Sequence, residues 1–403
     1  MALLSVAEAL ERVLAQAEPV PSENVPLAQA HGRVLTADLA ALRTQPPADV
    51  SAMDGYAVRA ADVANPPVRL KLVGEVAAGR PFDRAIGAGE AARIFTGGVL
   101  PAGADTVVIQ ELTARDKDDV VVQKATAIGR NVRIEGLDFK SGETPLAKHR
   151  RLSARDLALV AALNHATVPV HRRPRVALFA TGDELVPPGT TPGPGQIVYS
   201  NGFALAALAQ AEGADITDLG IVPDRIDDTV VAVRRARNAR ADVLVTTGGA
   251  SVGEYDLVQR AFAAEGMALS FWKVALRPGR PLMHGRLPPM HVLGLPGNPV
   301  SAYVCALLFL VPLLRKLSGR QDLGPRIESA ALGCDLPAND ERTDYLRARL
   351  VEGDQGVGVA ERFPIQDSSM IVPLANADCL IIREPYAPAA KAGERCAILK
   401  LGF

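Results

Sequence analysis

The stretch ADVLVTTGGASVGEYDLVQRAFAAEG, residues 241–266, decides the fold of this chain. It begins with an apolar run, passes through a glycine-rich turn, and continues into a segment with helical spacing that ends in glycine. Apolar, strand-like segments with helix-like segments between them also occur at 175–181, 215–222 and 291–297. Continuous apolar strands that alternate with helices are typical of a parallel sheet covered on both faces. We therefore predict a central, doubly wound, mostly parallel α/β domain over residues 173–320.

The segments on either side of this domain predict three further units. At 403 residues, the chain exceeds the size at which a single core stops growing. Short β-like runs separated by Gly, Pro and Asp predict a small β domain over 44–140. The segments 1–43 and 141–172 each contain a capped amphipathic helix, and we expect them to pack together as one discontinuous helical and linker domain. Further β-like runs predict a barrel-like β domain over 321–403.

Composition excludes several classes of protein. A formal net charge of −1, without a long Lys/Arg block, argues against a nucleic-acid partner. Four cysteines far apart, with no C-x-x-C pair, argue against a disulfide framework or structural zinc and favour free thiols in a reducing cytoplasm. The longest apolar run, 300–314, is too short to span a membrane and contains Pro312, so a kinked core helix is expected. The N-terminus lacks the basic region of a signal peptide.

Polar turns follow three of the predicted strands. They are TGDEL (181–185), TTGGASVGEYD (246–256) and LPGNPVSA (295–302). Each turn alone would be read as a tight connection, but in an open α/β sheet ligands bind at the carboxyl ends of the strands. Backbone N–H groups and the start of the following helix would then face an anion. None of the three matches the P-loop pattern, so they predict an anion site of another kind.

Positive charge for this site is available in the loop WKVALRPGRP (272–281). Lys273, Arg277 and Arg280 would clamp a phosphate or another oxyanion if they face the same crevice. The alternative is that all three are solvated loop residues.

Carboxylates follow the same strand ends, where the anion is expected. Asp183 and Glu184 lie in the first turn, and Glu254 and Asp256 end the second. A carboxylate beside a phosphate is repulsive unless a divalent cation lies between them, so the pattern predicts a Mg²⁺-bridged phosphate. The alternative is that Glu254 or Asp256 caps the helix that begins there, a role that need not exclude metal binding.

Together with SAMDGYAV (51–58) and RIFTGGVLPAGADTVV (93–108), these motifs occur in an order that resembles the MoeA-type molybdopterin molybdenumtransferases, the family that includes the E domain of gephyrin. The resemblance extends over nearly the whole chain. It implies a homodimer of four-domain subunits whose active sites are shared between the α/β domain of one subunit and the β domain of the other. It also implies insertion of molybdate into adenylylated molybdopterin, assisted by Mg²⁺, with release of AMP and formation of molybdenum cofactor.

The resemblance also implies site residues, carried over only where the motifs match. Catalytic roles are implied for Asp54, Thr96, Asp256, Lys273 and Arg277, although the family often has Lys where this chain has Arg277. Magnesium ligands are implied among Glu184, Asp224 and Asp256. Substrate-binding roles are implied for Gly182, Glu184, Asp224, Gly248, Gly249, Ser251, Gly253, Arg280, Pro296, Gly297, Asn298, Ser301, Arg342 and Ser368.

Two alternative functions remain open from the sequence. A molybdopterin adenylyltransferase shares the central domain but does not need the small β domain, and such an enzyme is also a possible partner that hands over the substrate. A non-catalytic molybdopterin-binding scaffold would not need the acidic and basic residues that this chain retains.

Overall fold

The computed structural model describes residues 3–248, 257–353 and 358–402. The described chain begins with helix α1 (Val6–Ala15), which is opened by a reciprocal capping box between Ser5 and Glu8. Strand β1 (Ser22–Pro26) follows, and a short 3-10 turn covers Leu27–Gln29.

A small β domain comes next, as the short β-like runs predict. Six of its strands form a mixed sheet in the order β6-β3-β5-β4-β8-β7, and β2 pairs with β9 as an antiparallel ribbon. The strands are β2 (Val50–Ser51), β3 (Gly55–Val58), β4 (Val68–Val76), β5 (Glu90–Ile94), β6 (Thr106–Ile109), β7 (Thr113–Asp116), β8 (Asp119–Val122) and β9 (Val132–Arg133). Its two buried clusters of aliphatic side chains, one of which also includes Tyr56, contain only residues of this domain.

The chain then returns to the N-terminal segment. Helix α2 (Ala154–Ala162) has a capping box between Ser153 and Asp156, and strand β10 (Thr167–His171) pairs antiparallel with β1. Buried residues between 25 and 41 share one apolar cluster with residues between 139 and 170.

The central domain is built on a six-stranded sheet in the order β14-β11-β15-β19-β18-β16. Strands β14, β11, β15 and β19 are parallel, which confirms the predicted doubly wound sheet, whereas β18 and β16 are antiparallel additions. The strands are β11 (Arg175–Thr181), β12 (Leu185–Val186), β13 (Ile197–Val198), β14 (Asp215–Val222), β15 (Val243–Thr247), β16 (Ala268–Trp272), β17 (Leu276–Arg277), β18 (Met283–Leu287) and β19 (Met290–Leu295). The helices are α3 (Asn201–Ala211), α4 (Ile226–Asn238), α5 (Leu257–Ala264), α6 (Pro299–Cys305) and α7 (Val311–Leu317).

Helices α6 and α7 form one helical run of 19 residues, Pro299–Leu317, joined by a π-helical segment at Ala306–Leu310. Its mean hydropathy of 1.8 would suit a membrane span, but 78% of the run is buried against the central sheet and its neighbours. The run is therefore the kinked core helix that the sequence predicts. The π-helical turn directly precedes Pro312, whose missing N–H disturbs the regular hydrogen-bond ladder.

Helix α1 packs differently from our expectation. Its buried Ala9 and Val13 belong to the core of the central domain, and α1 contacts α7 instead of forming a unit with α2. The Lys316 ammonium donates to the carbonyl of Leu14 at 2.8 Å, which holds the end of α1 against α7. The reason is that the apolar stripe of α1 finds the larger apolar surface of the long core helix. The boundary at residue 43, between the N-terminal segment and the small β domain, stays a prediction.

The C-terminal domain is a closed five-stranded barrel with one short helix. Five strands pair in the order β21-β22-β20-β24-β23, and β23 pairs back onto β21 to close the barrel. The elements are β20 (Ile327–Leu332), β21 (Thr343–Glu352), β22 (Gly358–Arg362), α8 (Ile371–Ala375), β23 (Cys379–Arg383) and β24 (Arg395–Lys400). The short β17 pairs in parallel with β21 and so ties the barrel to the central domain. All four cysteines are free thiols, as predicted.

Two buried histidines stack on neighbouring antiparallel strands of the central sheet. The rings of His284 and His291 lie 5.9 Å apart between centroids, and 1% and 2% of these residues are exposed. Burial, and to a smaller extent the nearby Arg286 charge, lowers the pKa of His284 to about 4 and that of His291 to about 3. Both rings are therefore neutral in the folded protein at pH 7.

This pair should make stability depend on pH. The pKa values of both rings are lower in the folded state, so the unfolded state binds more protons below pH 6.5, and stability falls as the pH decreases from 6.5 towards 4. Between pH 7 and pH 5, His284 alone should remove about 2 kcal/mol. The variant His284→Phe keeps a ring that cannot be protonated, so between these pH values it should lose about 2 kcal/mol less stability than the wild type.

Urea unfolding at both pH values, followed by the fluorescence of the single tryptophan, Trp272 in β16, measures the difference. The exposed His31 provides the control, since His31→Gln should retain the wild-type dependence. The same loss of stability in His284→Phe and the wild type would contradict the prediction.

Candidate active site

A cleft of about 580 Å³ lies at the carboxyl ends of the parallel strands. All three polar turns selected from the sequence contribute to it, which the parallel sheet requires. Its volume is within the range of small-molecule sites, roughly 300–1,000 Å³. Of the predicted substrate-binding residues, the lining includes Glu184, Gly248, Pro296, Gly297, Asn298 and Ser301.

Gly248 allows the ends of β11 and β15 to approach closely. Its φ of 85° lies in the left-handed region, and a Cβ there would stand 2.3 Å from the carbonyl oxygen of Thr181. Any other residue would clash with the neighbouring backbone and narrow the cleft. The rest of this turn, with the predicted residues Gly249, Ser251, Gly253, Glu254 and Asp256, lies outside the described residues.

The turn after β19 presents the start of the long core helix to the cleft. Asn298 is the N-cap residue and Pro299 begins α6, as expected, but the Asn298 side chain donates to the Ser368 hydroxyl at 3.0 Å instead of capping the helix. The Val300 amide donates to the Ser368 carbonyl at 3.0 Å. On the opposite side, the side-chain amide of Asn201 donates to the Gly297 carbonyl at 2.7 Å. The turn is therefore fixed from both sides, and Ser368 of the C-terminal domain is brought to it.

Three carboxylates gather beside the end of β11. Glu184 lines the cleft, and the Asp224 amide donates to the Asp183 carboxylate at 3.2 Å. Burial raises the pKa of Asp224, and the charges of Asp183 and Glu184 raise it further. Gly182 leads into this group, and a Cβ there would lie 2.6 Å from the Glu184 carboxylate. The structure thus collects negative charge where the sequence predicts a cation.

The donor set fits a magnesium ion that completes its shell with substrate and water. Magnesium in proteins usually takes one or two carboxylates together with waters and substrate phosphates. Within the described ranges, no three His, Cys, Asp or Glu residues meet at metal-ligand spacing, so these residues do not form an all-protein cage. The donors near the cleft are carboxylate oxygens, the type that magnesium prefers.

The basic loop reaches the cleft through its last residues. Arg280 is exposed and precedes Pro281, which lines the cleft. Lys273 is half-buried, has a left-handed φ of 88°, and places its ammonium 5.4 Å from the centre of the Trp272 ring. A non-glycine residue in this region of backbone space is uncommon and indicates a locally constrained loop.

Arg277 does not share this crevice, and our expectation of three basic side chains on one cleft is wrong for it. Its guanidinium donates to Asp344 at 2.6 Å, to Asp340 at 3.0 Å and to Asn339 at 3.1 Å. Pairing of β17 with β21 places Arg277 opposite Asp344, so the neighbouring carboxylates hold the side chain in the C-terminal domain. Arg342 lies in the same network, with its guanidinium 2.7 Å from Asp340.

Asp54 and Thr96, 42 positions apart, meet in the small β domain. The amide and the hydroxyl of Thr96 donate to one carboxylate oxygen of Asp54, at 2.7 and 2.8 Å. The amide hydrogen bond, then the hydroxyl bond, and then the charge of Arg93 lower the pKa of Asp54. Asp54 is thus a fixed, ionised carboxylate.

Sequence reasoning missed the residues that fix the Asp54 turn. The Arg93 guanidinium stands 5.1 Å from the ring centres of both Tyr56 and Phe95 and donates to the Gln110 side chain at 2.7 Å. The Gln110 amide donates to the Asp54 carbonyl at 3.1 Å. An arginine two residues before Phe95 in the RIFTG motif was the available signal, although nothing local points to Gln110.

Several cleft residues were also missed. Thr181, Asn201 and Ser369 line the cleft. The Ser-Asn pair at the start of α3 was the available signal for Asn201, whereas Ser369 comes from a different domain and has no local signal.

Asp54 does not line the cleft of its own chain. Asp54 is not among the residues that line the cleft, and the buried clusters of the small β domain include no residue of the central domain. The two groups of predicted site residues are therefore presented on separate domains.

Comparison with known proteins accounts for this arrangement of domains. Residues 4–164 match the MoeA N-terminal region (domain I and II), 177–316 a probable molybdopterin binding domain, and 329–401 the MoeA C-terminal region (domain IV). The chain belongs to the MoeA family. It is therefore a transferase of molybdenum cofactor biosynthesis.

Individual MoeA relatives are similar over most or all of the chain. The molybdopterin molybdenumtransferase of Haemophilus influenzae is 33% identical over 98% of both chains. That of a Nostoc species is 41% identical over 74% of this chain and 70% of its own. A crystal structure of a MoeA protein from Pyrococcus horikoshii superposes with a TM-score of 0.85 at 30% identity and covers both chains fully.

The contact between Thr96 and Asp54 should be measurable. In Thr96→Val the hydroxyl donor is lost while the amide donor remains, so the pKa of Asp54 should rise towards that of an ordinary Asp. A pH titration of ¹³C-labelled aspartate carboxylates reports the change. In Thr113→Val the lost hydroxyl had donated to the Gln110 carbonyl, so the Asp54 pKa should stay unchanged. An unaltered Asp54 pKa in Thr96→Val would rule out the hydroxyl contribution.

Proposed function

We propose that this MoeA-family protein inserts molybdate into adenylylated molybdopterin in the cytoplasm, releasing AMP and forming molybdenum cofactor. The observation that carries this proposal is the cleft itself, where carboxylates and the start of a buried helix meet at one sheet edge. Such a site suits a phosphate group that shares a divalent cation with the protein. The domain content favours this reaction over the two alternatives, because the small β domain with Asp54 and Thr96 accompanies an intact cleft.

The start of the long core helix is proposed to bind a phosphate of the substrate. The backbone of Gly297 and Asn298 and the Ser301 hydroxyl supply donors, and the partial positive charge of the helix N-terminus favours an anion there. Lys273 and Arg280 are proposed to add the positive charge. The guanidinium groups of Arg277 and Arg342 both bind Asp340. These two residues are therefore proposed to act by holding Asp340 in place and not by contacting the substrate.

Glu184 and Asp224 are proposed to hold Mg²⁺, with Asp256 as a third ligand on the basis of the family resemblance. When bound, the ion would screen the phosphate from the carboxylates and stabilise charge that develops on its oxygens. Without it, burial and then the charges of Asp183 and Glu184 raise the pKa of Asp224, so a cation would relieve an unfavourable environment for its carboxylate. We therefore propose that these carboxylates function with a cation bound to them.

Asp54 is proposed to act near the dithiolene end of the substrate, where molybdenum is inserted. Its carboxylate is kept ionised by Thr96 and its turn is held by the Arg93 and Gln110 contacts, which suits a negatively charged group that orients the substrate. Since Asp54 and the cleft lie apart in one chain, we further propose a homodimer in which Asp54 of one subunit serves the cleft of the other.

Turnover tests the proposed roles directly. Purified protein with adenylylated molybdopterin, molybdate and Mg²⁺ should yield cofactor that activates an apo-molybdoenzyme. Asp54→Ala and Asp224→Ala should each reduce this activity by about 100-fold or more while the protein stays folded. Asp119→Ala, on β8 of the same domain as Asp54, should leave it unchanged. Full activity in both site variants would contradict the proposed mechanism. Consumption of ATP with molybdopterin would instead identify an adenylyltransferase.

Mixing the two inactive variants tests the shared site. In a mixed dimer of Asp54→Ala and Asp224→Ala subunits, one site carries both changes and the other carries neither. Random reassembly of equal amounts should therefore restore about one quarter of the wild-type activity. If both residues acted within one subunit, the mixture would stay inactive.

Magnesium should also stabilise the folded protein. At 100 times its Kd the ion should add about 2.7 kcal/mol, seen as a higher thermal midpoint. Protons compete with the metal for Asp224, whose pKa is raised, so this stabilisation should weaken with falling pH earlier than it would at an ordinary Asp. Asp224→Asn should remove the effect and Asp215→Asn, at the other end of β14, should retain it. Equal stabilisation of both variants would contradict the assignment.

A further inference from the structure

The C-terminal barrel has a cavity at one end, and no residue of its lining also lines the cleft. Strand alternation directs Asp344 and Leu346 of β21, Arg362 of β22 and Arg383 of β23 to the same side as the buried residues of the barrel interior. Asp344 and Arg383 stand opposite each other in the β21–β23 register. These residues line a cavity of about 250 Å³, which we call the barrel mouth.

The charges at the barrel mouth do not balance. Its lining contains three guanidinium groups and one carboxylate. That carboxylate, Asp344, is bound by Arg277 through two nitrogens. Although Asp344 stands opposite Arg383 in the register, Arg383 donates to the carbonyls of Pro337 and Pro388 instead. Arg362 and Arg383 therefore contribute two positive charges for which the lining offers no free carboxylate.

The other polar groups of the lining are already engaged. The Gln366 side chain accepts from the Arg347 amide and donates to the carbonyls of Arg347 and Phe363. The Asn339 side chain accepts from Arg277 and donates to three backbone carbonyls. By contrast, the buried Nε of Arg362 has no hydrogen-bond partner in the described part of the chain. A buried donor without an acceptor destabilises the folded state, and an anion in the cavity would remove that penalty.

An acceptor that suits the barrel mouth is small, anionic and rich in oxygen. A guanidinium presents its donors as a planar fork that matches the oxygens of phosphate and related anions. The cavity is smaller than typical pockets for drug-sized ligands, roughly 300–1,000 Å³, so it excludes the pterin nucleotide but admits one tetrahedral anion with water.

We propose that the barrel mouth binds a small doubly charged tetrahedral oxyanion between Arg362 and Arg383, at a site separate from the cleft. Inorganic phosphate and molybdate share this chemistry. Binding of molybdate would make the barrel mouth a second site for the oxyanion substrate, and binding of phosphate would make it a sensor of that anion.

Calorimetric titration of the full-length protein with phosphate and, separately, with molybdate tests the proposal. Arg362→Gln should weaken binding of at least one of the two anions by about tenfold or more, because one charge-assisted pair of hydrogen bonds is lost. Arg349→Gln is the matched control, since Arg349 lies on the same barrel but is exposed and stacks on the Phe363 ring. Singly charged perchlorate should bind more weakly than either dianion.

Location is tested by soaking crystals in molybdate and in phosphate, with the anomalous signal of molybdenum marking the first anion. Density between Arg362 and Arg383 for either anion supports the proposal and identifies its source. If Arg362→Gln fails to fold, Arg362→Lys keeps the charge without the fork and should show intermediate affinity. The proposal would be overturned if the wild type, Arg362→Gln and Arg349→Gln bound the anions with equal affinity. It would also be overturned if the crystals contained neither anion at the barrel mouth.

Discussion

The common direction of β14, β11, β15 and β19 is the constraint on which the rest of the molecule depends. Parallel strands must be joined by crossovers, and the helices that make them cover both faces of the sheet. All four carboxyl ends consequently lie at one edge, and turns that are more than 100 residues apart in the chain form one cleft. The buried Val, Leu and Ala of these strands fix the register, and the polar turns that follow the strands form the cleft.

The C-terminal barrel completes this edge and is not an independent appendage. Ser368 receives hydrogen bonds from the Asn298 side chain and the Val300 amide, and β17 pairs with β21. These contacts fix the start of the long helix, whose first turn faces the cleft. The position of the proposed phosphate donors therefore depends on a domain whose strands lie outside the central sheet.

Local patterns predicted much of this fold. The capping boxes at Ser5 and Ser153, the parallel strands and the kinked core helix all follow from residues within a few positions of one another. The closure of the barrel and the docking of α1 on α7 depend on surfaces far apart in sequence, which no periodicity encodes. Strands β16 and β18 lie close together in the chain, but a short apolar run does not reveal the direction in which it pairs. The site shows the same division. The three turns were found, but Arg277 was placed in the wrong cavity because its partner Asp344 is 67 residues away.

The two proposed anion sites differ in how each handles a charge that the fold does not neutralise. In the cleft the excess is negative, and the charges of Asp183 and Glu184 add to burial in raising the pKa of Asp224. At the barrel mouth the excess is positive, and a buried guanidinium nitrogen has no acceptor among the residues that the structure describes. Natural cores usually pair such groups, since isolated buried charges and donors destabilise the folded state. Their retention on two domains that share the Arg277–Asp344 connection is best explained if each site is completed by an ion of opposite sign: a cation at the cleft and a tetrahedral anion at the barrel mouth.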